Sequence, residues 1–471
     1  MHSEKKADCC AKASSGGLGT CCQKSLNEVV PKGAITLSET KPAPSDKVLP
    51  GGVDRVLAEI EVEHKALKSF GYFDAPAWQR QRLSAQQNVP VTEGFGKAVP
   101  EFDSAWTAVM RRFYIPGSTL TIAKNGKIIY SRGYGYADIN SQAAMPPDAL
   151  FRIASISKAL TSVAVLKLCE QGKLTLDTKM MPLLKINTGE EHLDPELFQV
   201  NVRELLNCSG GWDRKLSGDP MFEEVARKAA AECSPTLRPT SDSIIQYWLR
   251  RRLDFIPNTH FAYSNFGYAL LGKVIQKASG QPYEQYIRKE ILEPLGLHSM
   301  RLGKTVELAP GEATYYPFPG QEENDSLYPN FRGKVPLPYG GDFVLEAMSA
   351  DAGWLSNSED LVRFASAVAG EGSKPVLAEK WRAQMFERPN LPEWKDKKLY
   401  FGMGWEVDTL EGDDKRRFSR QGSLPGAVAY VGHRADGYTY SFCCNSRPHD
   451  AIRLQREASL VVESALRAGK F

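Results

Sequence analysis

The sequence predicts an α+β domain over residues 100–471. Strand patterns stand near its start, at Ser118–Ile122 and Lys127–Tyr130, and near its close, at Tyr400–Val407, Ala427–Val431 and Tyr438–Cys444. Between these ends lies a long block of helices and loops, so one antiparallel sheet is expected to draw strands from both ends of the domain, with a helical subdomain inserted and helices on its flanks.

Residues 1–50 are rich in Ser, Gly, Lys and Pro and read as a disordered tail bearing Cys9-Cys10 and Cys21-Cys22. Residues 51–99 read as an amphipathic helix and a linker: Val53, Val56, Leu57, Ile60, Leu67 and Phe70 follow helical spacing, and Ser84 to Val99 is polar. Phe102, Trp106, Val109 and Met110 mark a second helix. Lys124-Asn125-Gly126 supplies a hairpin turn between the first two strands. Gly133-Tyr134-Gly135-Tyr136-Ala137-Asp138 opens no helix, which rules out a dinucleotide fingerprint. Ile156 to Leu168 is apolar nearly all round and stops at Gly172, the signature of a buried helix. Helices and loops fill Asp177 to Leu253, and an apolar helix runs from Ala269 to Ala278. Tyr315 to Asp342, rich in proline and aromatics, reads as a long loop walling a substrate pocket. An amphipathic helix, Ile452–Ala468, closes the chain, and no internal repeat is visible.

Composition excludes several classes. The 471 residues are 42% hydrophobic and carry Lys+Arg 59 against Asp+Glu 56, a formal charge of +3. No basic stripe with interleaved aromatics points to nucleic acid. No run of eighteen apolar residues exists, Lys167 interrupting the best candidate, so no membrane span is expected. The nine cysteines include adjacent pairs that do not match zinc-ligand spacing, and no metal or other cofactor is expected. No secretory apolar region follows Met1, which favours a reducing, cytoplasmic setting. Oligomeric state stays open.

Three motifs carry chemistry. Ser155 stands at the start of the buried helix and Lys158 one turn on, so both side chains share a face. Free backbone N–H groups and the positive helix end favour an alkoxide there. An ammonium among apolar neighbours loses hydration and becomes able to accept a proton. The pair is an activated nucleophile that needs no histidine, although a serine at a helix start is also an ordinary N-cap. Second, Tyr263-Ser264-Asn265 precedes an apolar helix: a phenol beside cations can work as a base, and Asn265 can donate to a substrate carbonyl or accept from Lys158. Third, Arg420-Gln421-Gly422-Ser423 leads into a strand. Gly422 permits close backbone approach, and the Ser423 N–H can face that of Ser155 to cradle an oxyanion.

In this order the motifs resemble the class C β-lactamase and penicillin-binding-protein superfamily, particularly its β-lactamase-like esterases. The resemblance covers roughly Pro100 to Phe471. It includes Gly135-Tyr136-Ala137-Asp138, Phe151-Arg152-Ile153-Ala154-Ser155, Leu205 to Gly211, Gly353-Trp354-Leu355-Ser356 and Gly422-Ser423-Leu424-Pro425-Gly426. It implies a β-lactamase/transpeptidase-like fold. It also implies a serine hydrolase or acyltransferase working through acyl-Ser155, with Lys158 and Tyr263 catalytic and Asn265, Arg420, Gly422 and Ser423 lining the oxyanion and substrate sites. Carboxylic-ester hydrolysis or transesterification of a small-molecule ester is the expected reaction. β-Lactam or D-amino-acid peptide or amide substrates are the alternative, and a catalytically silent binding module is the rival of another class. Two positions depart from the family: Arg420 replaces Lys or His, and Cys208-Ser209 replaces His-Thr. Arg420 is expected either to tune Lys158 and Tyr263 or to bind a substrate carboxylate.

Overall fold

The computed structural model describes residues 89–471 except 191, 319, 330–332, 373 and 410–416. The expected tail with its four cysteines and the expected helix from Val53 to Phe70 lie outside the described residues.

The main sheet is built from both ends of the domain. Its strands are β1 (Val91–Phe95), β2 (Gly117–Lys124), β3 (Lys127–Asp138), β4 (Leu399–Phe401), β5 (Glu406–Asp408), β6 (Arg417–Leu424), β7 (Ala427–His433) and β8 (Tyr438–Cys444), in the order β1-β3-β2-β8-β7-β6-β5-β4. All these pairings are antiparallel. Asn125 and Gly126, at φ 48 and 75, form the mirror-image turn whose twist suits a hairpin. The junction of the two ends is β2 on β8, in register from Ser118↔Cys444 to Lys124↔Tyr438.

Two expectations about the main sheet differ. The linker contains β1, which pairs with β3 from Val91↔Tyr134 to Phe95↔Ser131 through its backbone while its side chains remain largely exposed. The strand expected over Tyr400–Val407 is two strands, β4 and β5, joined through Gly402 and Gly404.

Both faces of the sheet are covered. Helices α1 (Pro100–Arg112) and α6 (Ala451–Arg467) close the outer face, where Phe102, Trp106, Tyr134, Phe442, Val462 and Leu466 share one core. The other face carries the larger core, with α2 (Ser157–Glu170), α4 (Asn265–Ser279) and α5 (Ser358–Ala369). Along β8, Tyr440, Phe442 and Cys444 point to the outer core and Cys443 to the inner one, the period of two that a strand imposes. Trp106 is 1% exposed, and truncating such a side chain costs about 3–5 kcal/mol.

The inner helices position the site. α2 stops at Gln171, with Gly172 at φ 69. α4 starts earlier than expected: the Ser264 side chain accepts from the Gly267 N–H, and Gly280 at φ 70 ends the helix. The loop from Tyr315 to Asp342 carries a small hairpin, Asn324–Asp325 on Lys334–Val335. Buried Arg152 clamps that region: Nη1 donates to the Pro338 carbonyl (2.6 Å) and Nη2 to those of Thr305 (2.7 Å) and Lys304 (3.0 Å). Its Nε lies 3.6 Å from Glu312 and its plane 4.2 Å from the Tyr315 ring centroid. No helix among the described residues is long and apolar enough to cross a membrane.

Candidate active site

The two-residue strand Phe151–Arg152 pairs with Trp354–Ser356 and delivers the chain into a tight turn, Ala154–Ile156, ahead of α2. Ala154 sits at φ 45, the left-handed region that costs a non-glycine residue roughly 1–2 kcal/mol. This turn pushes Ser155 outward: from Ala149 to Leu166 it is the one residue that is not buried. Ser155 makes no helix-cap bond. Its Oγ instead accepts from Tyr263 OH at 2.9 Å and from Lys158 Nζ at 3.2 Å. Lys158 is fully buried and also donates to Asn265 Oδ1 (2.7 Å) and to the Asp351 carbonyl (2.8 Å), so three acceptors surround the ammonium. Burial of that charge is compensated hydrogen bond by hydrogen bond.

Tyr263 is held from behind. The Ala262 N–H donates to the Cys208 carbonyl (2.9 Å) and the Asn258 N–H to that of Ser209 (2.8 Å), so the Leu205–Gly211 stretch is a backbone brace for the Tyr263 segment. Cys208 reaches this geometry at φ 55, and burial pushes its thiol pKa up. That makes the cysteine a packing residue of the brace. Asn265, in the first turn of α4, receives from Lys158 and donates through Nδ2 to Asp219 Oδ2 at 2.6 Å.

The third motif arrives on β6. A Cβ on Gly422 would collide with the Ile153 carbonyl, so glycine is what lets this strand lie against the Ser155 turn. Ser423, half-buried, follows it. Arg420 is 2% exposed and turned inward. Its Nη2 donates to Tyr263 OH (2.6 Å) and its Nε to the Ser155 carbonyl (3.0 Å), while Nη1 lies 3.9 Å from Glu406 Oε1. Burial opposes its charge, but Tyr263 and Glu406 outweigh that and raise its pKa. Of the two roles expected for Arg420, binding a substrate carboxylate is not the one this geometry serves: a buried fork spent on internal acceptors has no free face to offer.

Hydrogen bonds thus join Ser155, Lys158, Tyr263, Asn265 and Arg420, Gly422 lies against the Ser155 turn, and Ser423 follows it on the strand. Sequence reasoning missed three more. Asp219 reaches Asn265 from a loop. Asp351 is fully buried beside Lys158, and neither of its carboxylate oxygens has a hydrogen-bond partner among the described residues. Burial, with Asp219 adding and Lys158 opposing, pushes its pKa up to about 8. Arg214 lies over the Tyr263 ring, 4.9 Å from its centroid. The one faint signal for Asp351 is its place two residues before the Gly353–Ser356 motif. His260 pairs with Thr259 and packs at a tilt against Phe255, with no hydrogen bond to Ser155 among the described residues. Among the described residues no cluster of three or more His, Cys, Asp or Glu side chains could hold a metal ion.

A family model described as Beta-lactamase matches residues 102–456. The chain belongs to the beta-lactamase family. Protein flp of Staphylococcus aureus (strain MW2) is 29% identical over 214 residues, 45% of this chain and 40% of the relative. The serine beta-lactamase-like protein LACTB, mitochondrial, of Mus musculus is 24% identical over 337 residues, 59% of this chain. The chain thus spans 40% and 58% of these relatives' own lengths. Among solved structures, the octameric penicillin-binding protein homologue from Pyrococcus abyssi superposes with a TM-score of 0.61 at 24% identity, over 79% of this chain and 78% of that one. The D-amino acid amidase from Ochrobactrum anthropi SV3 complexed with L-phenylalanine amide gives 0.59 at 22% identity, over 79% and 100%. At these identities the likeness is one of fold. This beta-lactamase-family chain therefore has the penicillin-binding-protein-like fold of a family of serine hydrolases.

Proposed function

We propose that the protein is a serine hydrolase or acyltransferase acting on carboxylic esters through an acyl-Ser155 intermediate. The observation that carries this reading is the convergence of Tyr263 OH and Lys158 Nζ on Ser155 Oγ, at 2.9 and 3.2 Å. In the reactive form the Tyr263 oxygen is a phenolate facing Arg420 on one side and Lys158 on the other. Ser155 Oγ attacks the ester carbonyl as its proton moves to Tyr263, a transfer of the kind worth about 10²–10⁴-fold in rate. The carbonyl oxygen becomes an oxyanion received by the N–H groups of Ser155 and Ser423. Collapse breaks the ester C–O bond, Tyr263 passes the proton to the departing oxygen, and the acyl group stays on Ser155. Water or an alcohol then repeats the sequence in reverse, giving hydrolysis or transesterification.

A D-amino-acid amide or a β-lactam as acyl donor is the second reading, supported by the fold shared with the D-amino acid amidase. Intact mass spectrometry after a fluorophosphonate probe tests the nucleophile, with wild type gaining one adduct and Ser155→Ala none. An adduct that persists in the variant on another serine ends the proposal. Turnover of a p-nitrophenyl ester panel against a D-phenylalanine amide and a chromogenic β-lactam then separates the two readings.

A further inference from the structure

We propose that Arg214 selects substrates that carry a carboxylate, a specificity that rests on the acyl-Ser155 reading above. Arg214 opens the one-turn helix α3 (Arg214–Ser217), directly after the brace that holds Tyr263. The guanidinium is exposed and 4.9 Å from the centre of the Tyr263 ring. Among the described residues it makes no hydrogen bond or ion pair. Arg420, by contrast, is buried with its donors turned to Tyr263 and Ser155.

The backbone under Arg214 is fixed. The Asp213 side chain accepts from the Lys215 N–H at 2.8 Å, and Asp254 accepts from the Asp213 N–H at 2.8 Å and from the Ser217 hydroxyl. A guanidinium resting over the Tyr263 ring with its donors unspent is open to an anion, and a planar fork suits a carboxylate. Because Tyr263 OH touches Ser155 Oγ, guanidinium and Ser155 Oγ are at most roughly 10 Å apart, a span that a dicarboxylate of four or five carbons in all bridges when one end is attacked and the other is paired. Burial raises the pKa of Asp219 and the Arg214 charge opposes that rise, so the guanidinium interacts with the loop that carries Asp219.

The test compares kcat/KM for mono-p-nitrophenyl glutarate and p-nitrophenyl butyrate. Wild type should prefer the glutarate ester. Arg214→Ala should cut the ratio about tenfold or more, the size of one charge-assisted hydrogen bond, and Arg214→Lys should keep part of it. Added salt should erode the wild-type preference. No preference in wild type, or an unchanged ratio in Arg214→Ala, overturns the proposal. If neither ester is turned over and Ser155 takes no probe, the acyl-enzyme reading is what fails. Calorimetric binding of glutarate against butyrate then decides the Arg214 site: tighter glutarate binding lost in Arg214→Ala supports it, and equal binding overturns it.

Discussion

Arg420 donates through Nη2 to the phenolic oxygen of Tyr263 at 2.6 Å, so the position where the chain leaves its family's pattern is bonded directly to the group proposed to move the proton. A fixed guanidinium cannot itself give up a proton, and in the proposed mechanism its service is to face the phenolate charge of Tyr263.

Tyr263→Phe should therefore lower kcat by about 10²-fold or more with little change in KM, because the hydroxyl acts in the transition state. Arg420→Ala should lose about tenfold to a hundredfold in kcat/KM on neutral and anionic esters alike. An Arg420→Ala loss confined to carboxylated substrates would return Arg420 to the role of substrate anchor.

Asp351 gives the fold a pH dependence. An unfolded chain releases this proton near pH 4, whereas the folded one holds it up to about 8. Between those values the folded state binds one proton more, so its stability falls as pH rises and levels off above about 8. Asp342, pushed up to about 6 by burial, adds to the lower part of the fall, and His433, lowered by burial to about 4, works in the opposite direction. Asp351→Asn isolates the first term. Urea midpoints at pH 5, 6.5 and 8 should show the variant gaining on wild type as pH rises, and a constant difference would mean that Asp351 is ionised throughout.

The Arg152–Glu312 pair ties the strand before Ser155 to the segment from Glu312 to Tyr315. Arg152→Met leaves a carboxylate that burial already raises in pKa with only the weaker pull of Arg301, and should cost about 3–5 kcal/mol. Adding Glu312→Gln should recover part of that loss in equilibrium denaturation. A single variant within about 1 kcal/mol of wild type would show the clamp to be dispensable.

Ala154 stores backbone strain at φ 45. Ala154→Gly should raise stability by up to about 1 kcal/mol, and Ala154→Val should lower it by about 2 kcal/mol, measured by thermal unfolding. A glycine variant less stable than wild type would place the value of the alanine in the burial of its methyl group.

What was legible in the sequence is what short-range chemistry imposes. Ser155 and Lys158 meet because they are one turn apart, Asn125-Gly126 fits one turn type, and Gly422 betrays a close backbone approach. Asp219 and Asp351 reach Asn265 and Lys158 from loops without periodicity, so only tertiary packing reveals them. Strand β1 hid for another reason: an edge strand bonded through its backbone needs no alternation of apolar side chains. The direction of Arg420 depends on where β6 lies against the Ser155 turn, a relation no local pattern encodes.

The pairing of Ser118 with Cys444 also sets a clock on biosynthesis. A ribosome adding roughly 5–20 residues per second releases β2 on the order of tens of seconds before β8 exists to cover it. During that interval the apolar edge of β2 is open to holdase chaperones or to a neighbouring nascent chain. Ser155 emerges early and Arg420 late, so a translating chain carries its proposed nucleophile long before the guanidinium that braces Tyr263. Prematurely terminated chains should therefore be born chemically inert and prone to cluster.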